Sequence, residues 1–308
     1  MEAPARTIDR EAYDVIRSGG GGFYETPRGL IAIWGKEAVP FLDGMMTNDV
    51  KTLADGAEML AAFPNAQARL LAIVRLRRQG DRYLLETEEA TREKLYQNLF
   101  RFTFAGDFFV EDLSDKYSYF QMFGAVKGSP PYEGGVDAIR GRGGSLSFDH
   151  GRFVPVAEID AVRSDLIDLG TFPISDDLYE TLRIENGIPK YGIDMDETTI
   201  VPELGIDDLI SYNKGCYVGQ EIIARIHFRG HVAKRLTGLV LSETLGTQPV
   251  ELQSIDGKNA GRITSVTYSP KLDKTIALAF VRYDFLDAGT KLLAGDIRAT
   301  VTNLPFID

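Results

Sequence analysis

The chain carries one cysteine, and it lies in a segment rich in reactive side chains. Residues 214 to 221 read Lys-Gly-Cys-Tyr-Val-Gly-Gln-Glu, and Cys216 is the only thiol among 308 residues. A lone cysteine is ordinarily a small buried hydrophobic residue. Here Lys214 precedes it by two positions, and Gln220 and Glu221 follow within five. Because nearby positive charge favours a thiolate, the segment predicts a nucleophile, a redox thiol or a transient ligand for iron or sulphur.

Two histidines follow the cysteine at short range. His227 and His231 are four residues apart, and either could act as the base of a cysteine-histidine pair. A metal site built from both histidines and Cys216 would need a helix that places them on one face, and Gly230 weakens that helix. We therefore predict no permanently bound metal. A buried structural cysteine is the remaining alternative.

Charge is unevenly distributed around this segment. Between Lys214 and Arg235 there are five basic residues and one acidic residue, whereas positions 194 to 208 contain six acidic residues and no basic one. Two solvated faces that neutralise each other would explain the pattern, and so would an anion site for a polyglutamate tail, a phosphate or an RNA backbone. The net charge of −11 opposes general binding to nucleic acid or to an anionic membrane.

Composition narrows the class of protein. The chain is 44% hydrophobic and 26% charged, which is typical of a globular protein with more than one core. A single cysteine cannot form an internal disulfide, so nothing indicates an oxidising compartment. Neither a signal-peptide pattern nor an apolar run of about 18 residues is present. We expect a cytoplasmic protein that does not bind membranes.

Periodicity and capping residues predict the elements that position these groups. We expect helices near residues 9–17, 36–46, 88–100 and 175–186. Strands are expected near residues 29–34, 59–63, 69–76, 83–86 and 153–156. The region after about residue 231 has β-branched segments separated by turns, which predicts a small all-β domain. Thr47, Asn48 and Asp49 follow the second helix, and they either cap it or line a site.

The helix near 175–186 places a carboxylate among leucines. Ser175 caps it and Gly187 ends it. Leu178, Leu182 and Glu185 fall on one stripe, so we expect Glu185 to be partly buried. A buried carboxylate is either salt-bridged inside the protein or kept for a ligand with hydrogen-bond donors, such as an aminopyrimidine edge. Residue type alone favours the salt bridge.

Four spaced motifs resemble those of the YgfZ family within the folate-binding T-protein superfamily. The most specific is Lys214-Gly-Cys-Tyr-Val-Gly-Gln-Glu221 with its downstream Arg225. The other three have the same order in this chain as in that superfamily. They are Gly35-Lys-Glu-Ala38 leading to Thr47-Asn-Asp-Val50, Leu182-Arg-Ile-Glu-Asn-Gly187 with Tyr191-Gly-Ile-Asp194, and Gly261-Arg-Ile-Thr-Ser265 with Ile276-Ala-Leu278.

The resemblance implies an α+β fold, with a ring of three domains around a central folate cavity and a C-terminal β-barrel. The implied bounds are residues 1–50 plus about 118–230 for the folate-binding domain, about 51–117 for the second domain and about 231–308 for the barrel. The cofactor would be tetrahydrofolate or a one-carbon derivative. By carry-over, Glu185 would hold the pterin amino groups, Asn48 and Tyr191 would lie near the cavity wall, and Arg225 would meet the folate tail.

The functional motif by this resemblance comprises most of the octapeptide. Its members are Lys214, Gly215, Cys216, Tyr217, Gly219, Gln220 and Glu221. The implied function is support of iron-sulphur cluster assembly or repair, including clusters of tRNA-modifying enzymes. The partners would be iron-sulphur assembly proteins or client enzymes.

The chain departs from the superfamily's pattern in three places. Gln220 stands where the aminomethyltransferases have arginine. Residues 86 to 95 offer no clear match for their second-domain acid. Ala68 occupies a turn position where relatives have glycine, which disfavours the usual positive φ. Two alternatives therefore stay open beside the accessory factor: a folate-dependent one-carbon transferase, and a folate-sensing module that does not use the thiol.

Overall fold

The computed structural model describes residues 9–124, 144–148, 150–245 and 250–307. Part of the predicted connection at 125–151 lies outside these residues, as does the start of the predicted first domain. The described helices are α1 Arg10–Arg17, α2 Ala38–Met45, α3 Glu89–Phe100, α4 Ile159–Asp168, α5 Asp176–Glu185 and α6 Gln220–Arg229. No helix in the described part of the chain is long and apolar enough to cross a membrane.

Two five-stranded sheets and a closed barrel hold the strands. The first sheet has the order β10-β1-β7-β9-β8, formed by Phe172–Pro173, Gly22–Thr26, Tyr117–Phe123, Gly151–Pro155 and Leu146–Phe148. The second has the order β3-β4-β5-β2-β6, formed by Glu58–Pro64, Leu70–Gln79, Arg82–Glu88, Arg28–Trp34 and Phe109–Asp112.

The C-terminal barrel confirms the predicted all-β region. Its six strands close in the order β11-β14-β13-β12-β15-β16. They are Lys234–Leu241, Lys274–Arg282, Asn259–Ser269, Val250–Ser254, Lys291–Ala294 and Ile297–Thr302. Together with the helices and the two sheets, the barrel gives the α+β class that was expected.

Local sequence signals account for several helix ends. The Asp9 side chain accepts a hydrogen bond from the backbone N–H of Ala12 at 3.0 Å and caps α1. Ser175 caps α5 in the same way through Leu178 N–H. Gly187 follows α5 with φ +69°, a conformation that suits glycine at a helix end.

The second sheet packs one face on a large apolar core. Ile31, Val74 and Leu85 from this sheet meet Leu42 of α2 and Leu95 of α3 there, all of them buried. Strand β2 belongs to this sheet, where it pairs with β5 and β6. The predicted domain boundary at residue 50 therefore falls between strands that share one sheet. The division into three domains stays a prediction.

Candidate functional site

Lys214 anchors the octapeptide to the C-terminal end of α2. Its side chain is fully buried. The ammonium donates hydrogen bonds to the backbone oxygens of Asp43, Met46 and Asn48 at 2.7, 2.9 and 2.8 Å. An ammonium has three N–H donors, so these carbonyls satisfy it completely. A cation at a helix C-terminus also complements the helix dipole.

The Asp43 carboxylate completes this anchor. It lies 3.1 Å from Lys214 Nζ and accepts a hydrogen bond from Lys51. Burial tends to raise the pKa of Asp43, but the hydrogen bond from Lys51 and the nearby positive charge of Lys214 outweigh it and hold the pKa below its usual value. Burial lowers the pKa of Lys214, with Asp43 opposing that effect. The positive charge of Lys214 is therefore directed at Asp43 and the α2 carbonyls.

Tyr217 and Gly219 seat the rest of the octapeptide. Tyr217 is buried in the apolar cluster beneath the barrel, and burial raises its pKa to about 12. Gly219 has φ +81°, and a Cβ at this position would lie 2.6 Å from the backbone oxygen of Asn65. The neighbouring turn keeps Ala68 at φ +60°, so alanine retains the positive φ there. Gly219 is thus required both by its dihedral and by the turn packed against it.

Cys216 is exposed between these buried anchors. Gly215 lies close to the ion pair, since its ideal Cβ would be 3.9 Å from Lys51 Nζ. Gln220 begins α6 and donates from its side chain to the backbone oxygen of Gly215 at 3.4 Å, while Glu221 is exposed. A thiol on a loop fixed at both ends and open to solvent is accessible to a partner molecule. The alternative of a buried structural cysteine is therefore wrong.

The two histidines near the thiol stack on different tyrosines. The His227 ring lies 3.6 Å from that of Tyr212, and the His231 ring lies 3.6 Å from that of Tyr283. Among the described residues, no group of three metal-ligating side chains is positioned to hold a metal ion. Arg225 is exposed on α6, the helix that begins at Gln220 within the octapeptide.

Asn48 and its neighbour Thr47 join α2 to the chain that leads into the octapeptide. The Asn48 side-chain amide donates to the backbone oxygens of Leu60 and Asp208, at 2.9 and 2.7 Å. The Thr47 hydroxyl donates to Leu209 O at 2.6 Å. These bonds use both N–H groups of Asn48, so the structure gives its amide a structural role.

Glu185 is buried and forms an internal salt bridge. Its carboxylate is fully inaccessible and accepts hydrogen bonds from Tyr13 at 2.7 Å, from Arg17 and from Ser269. Burial raises the pKa of Tyr13 to about 12, and the bond to Glu185 adds to that effect. Of the two interpretations that the sequence left open, the internal salt bridge is the one present. A pterin would reach Glu185 only by displacing Arg17 and Tyr13.

Tyr191 connects to the second sheet through Glu88. Its backbone N–H donates to both carboxylate oxygens of Glu88 at 3.1 and 3.2 Å, and its hydroxyl accepts from Lys94 at 3.1 Å. Burial raises the pKa of Glu88, and the nearby Glu86 carboxylate adds to this effect. Arg28 and the Tyr191 N–H act in the opposite direction.

Glu88 belongs to a polar strip on the face of the second sheet that points away from the α2 core. Side-chain alternation and strand register place eight charged residues on this face. Two of them are Arg82 and Glu111. The other six, here named the polar strip, are Arg28, Glu58, Arg75, Arg77, Glu86 and Glu88. One signal in the sequence could have indicated this strip. Val74-Arg-Leu-Arg77 alternates apolar and charged residues within a strand, a pattern that is equally typical of a solvent-facing edge.

The polar strip lies between two apolar clusters. On one side, Leu30 and Leu84 of the same face pack against Phe153 of the first sheet. On the other side, Leu60 and Ile73 pack against the cluster that joins Tyr191 to the barrel. Charged side chains held between apolar walls interact more strongly with a ligand than they would in water. The strip is therefore a partly buried polar surface that reaches Tyr191 through Glu88.

Comparison with solved structures decides the fold. The chain superposes on the glycine cleavage system aminomethyltransferase T of Bartonella henselae with a TM-score of 0.83, over 96% of this chain and 89% of that one, at 20% identity. The chain has the aminomethyltransferase fold. Residues 234–308 match the family described as the glycine cleavage T-protein C-terminal barrel domain. The aminomethyltransferase fold thus includes the closed barrel.

Two curated relatives align with most of the chain. One is the mitochondrial iron-sulphur cluster assembly factor IBA57 homologue of Mycosarcoma maydis, 29% identical over 74% of this chain, and the chain spans 59% of that factor's length. The other is an aminomethyltransferase of Rubrobacter xylanophilus, 26% identical over 96% of this chain and 85% of its own length. Proteins with two different described roles therefore align with a chain of aminomethyltransferase fold.

Proposed function

We propose that this protein is a tetrahydrofolate-binding accessory factor for iron-sulphur cluster assembly or repair, in which Cys216 is the reacting group. The observation that carries the proposal is the exposed thiol on a loop held by the buried Lys214 and Tyr217. A structural cysteine would be buried, whereas this one can reach a cluster, a persulfide or a partner protein. The similarity to the IBA57 homologue supports this role.

The polar residues of the interior fit a folate. A pterin has an edge of N–H donors, and Glu88 is a partly buried carboxylate that accepts only the Tyr191 N–H among the described residues. The glutamate end of a folate is anionic, and the polar strip contains three arginines. Bound tetrahydrofolate would supply one-carbon chemistry. In this proposal the chain binds and orients it, with Tyr191 beside the pterin, while Glu185 takes part only if α1 moves.

The test separates the thiol from the folate site. Cells that lack this protein would receive wild type, Cys216→Ala or the exposed neighbour control Asn213→Ala. We expect Cys216→Ala to lose the activity of cluster-dependent enzymes, including tRNA-modifying ones, while the purified variant keeps wild-type affinity for tetrahydrofolate in calorimetry. Normal cluster-enzyme activity in the Cys216→Ala cells would remove the proposal and favour a folate-sensing module. We place the activity in the cytoplasm, although the IBA57 homologue is described as mitochondrial.

A folate-dependent aminomethyl transfer is the second candidate, and Glu88 is the observation that favours it. Burial raises the pKa of this carboxyl, and Glu88 also lies beside the Tyr191 N–H, so a proton-transfer role can be tested at this position. Methylene transfer in the presence of glycine-cleavage partner proteins, compared between wild type and Glu88→Gln, tests this function. Transfer that is present in wild type and lost in the variant would establish it, and no transfer in wild type would exclude it.

A further inference from the structure

Arg75 lies in the middle of the polar strip, outside its two ion pairs and near Tyr119, whose pKa the Arg75 charge acts to lower. Its neighbours across the sheet are Leu60 on β3 and Glu86 on β5. The side chain is partly exposed, and within the described part of the chain it forms neither a hydrogen bond nor an ion pair. A guanidinium in such a setting has five N–H donors available to a ligand.

The acids nearest to Arg75 are committed to other arginines. Arg28 binds Glu86, whose side chain is 5% exposed. Arg77 donates to Glu58 at 2.7 Å, and that carboxylate is also 5% exposed. The polar strip therefore contains two ion pairs, and the guanidinium of Arg75 belongs to neither of them. Arg75 and Glu88 are the two members of the polar strip that lie outside these ion pairs.

The surroundings of Arg75 make it an effective receptor for a carboxylate. Apolar side chains flank the strip on both sides, which limits the water that competes for the guanidinium. The fork of the guanidinium matches the two oxygens of a carboxylate, and such bidentate pairs are among the stronger hydrogen bonds in proteins. Glu88 lies two residues beyond Glu86 on the adjacent strand, about 7 Å further along the sheet. A ligand that is bent between its acidic end and its donor edge can contact both Arg75 and Glu88.

We propose that Arg75 binds the glutamate carboxylate of the folate, with the donor edge of the same molecule directed toward Glu88. This inference rests on the proposed function, because it names residues for the folate that the function requires. It also differs from the sequence prediction, which assigned the tail to Arg225. Arg225 is exposed on α6, outside the polar strip.

The experiment uses two probes that differ only in charge. One is 5-formyltetrahydrofolate, and the other is its diamide, in which both glutamate carboxylates are amides. Calorimetry would measure both with wild type, Arg75→Gln, Arg75→Lys and the control Arg77→Gln, after thermal melts have shown that each variant is folded. Wild type should bind the acid about 10-fold or more tightly than the diamide. Arg75→Gln should lose that preference while its affinity for the diamide stays unchanged.

The variants separate bidentate recognition from general charge. Arg75→Lys keeps the charge without the fork, so it should recover only part of the preference. Arg77→Gln removes the same charge two residues away and should keep most of the preference. Equal binding of acid and diamide by wild type, full preference in Arg75→Gln, or an equal loss in Arg77→Gln would overturn the inference. If wild type binds neither probe, the proposed folate function fails as well.

Discussion

Replacing Lys214 tests whether the octapeptide depends on its buried ammonium. Lys214→Met keeps the length and the apolar part of the side chain but leaves three backbone oxygens of the α2 end without their donor. It also removes one of the two lysines that neutralise Asp43. Breaking a buried charged pair costs about 3–5 kcal/mol. Three hydrogen bonds from a charged donor are worth at least that much before desolvation of the ammonium is subtracted.

The matched control is Lys51→Met. Lys51 binds the same carboxylate, but its side chain is 55% exposed, and exposed ion pairs contribute about 0–1 kcal/mol. Trp34 is the only tryptophan and lies in β2, whose sheet packs on α2. Urea unfolding followed by Trp34 fluorescence should therefore report both variants. We expect a loss of about 3–5 kcal/mol for Lys214→Met and a much smaller loss for the exposed Lys51→Met.

Two outcomes would refute this reasoning. A loss below about 1 kcal/mol for Lys214→Met would mean that the three carbonyl bonds do not stabilise the fold. Equal losses for the two lysine variants would mean that only the charge of Asp43 matters, and not the position of the ammonium. A changed denaturant slope would indicate an altered unfolded state or a lost intermediate rather than a lost anchor.

Three further predictions concern a carboxyl group, a glycine and the thiol. The pKa of Glu88 is raised in the folded protein, so its contribution to stability is fully present below the unfolded pKa of 4.5 and is lost as pH rises through the folded pKa. Glu88→Gln should therefore be more stable than wild type above that range and equally stable below it. Urea midpoints measured against pH test this. Gly219→Ala should lower the free energy of unfolding by about 2 kcal/mol or more, because strain at positive φ adds to the close contact with Asn65 O. The control Gly192→Ala has φ +82° but no atom within 4 Å, so it should lower that free energy by only about 1 kcal/mol. Similar losses for both variants would contradict the close contact. Cys216 should react fully with iodoacetamide in the native protein, as detected by mass spectrometry. Cys216→Ser should change the free energy of unfolding by no more than about 0.5 kcal/mol. A thiol that reacts only after unfolding would contradict its exposure.

Local signals in the sequence were sufficient for many of the elements. Asp9 and Ser175 mark helix starts because their side chains satisfy N–H groups within three residues, an interaction that needs no distant partner. The β-branched segments after residue 231 predicted barrel strands for the same local reason. Helix α4 was not predicted.

In the candidate site, too, local features could be predicted from the sequence and long-range contacts could not. The sequence determined by itself that Cys216 is the single thiol and that Glu185 shares a stripe with leucines, since both follow from composition and periodicity. Only the tertiary structure decided which group each charged side chain meets: Arg17 for Glu185, α2 carbonyls for Lys214, and Tyr119 for Arg75. Charge pairing depends on contacts between strands and helices far apart in the chain, and residue order does not specify those contacts.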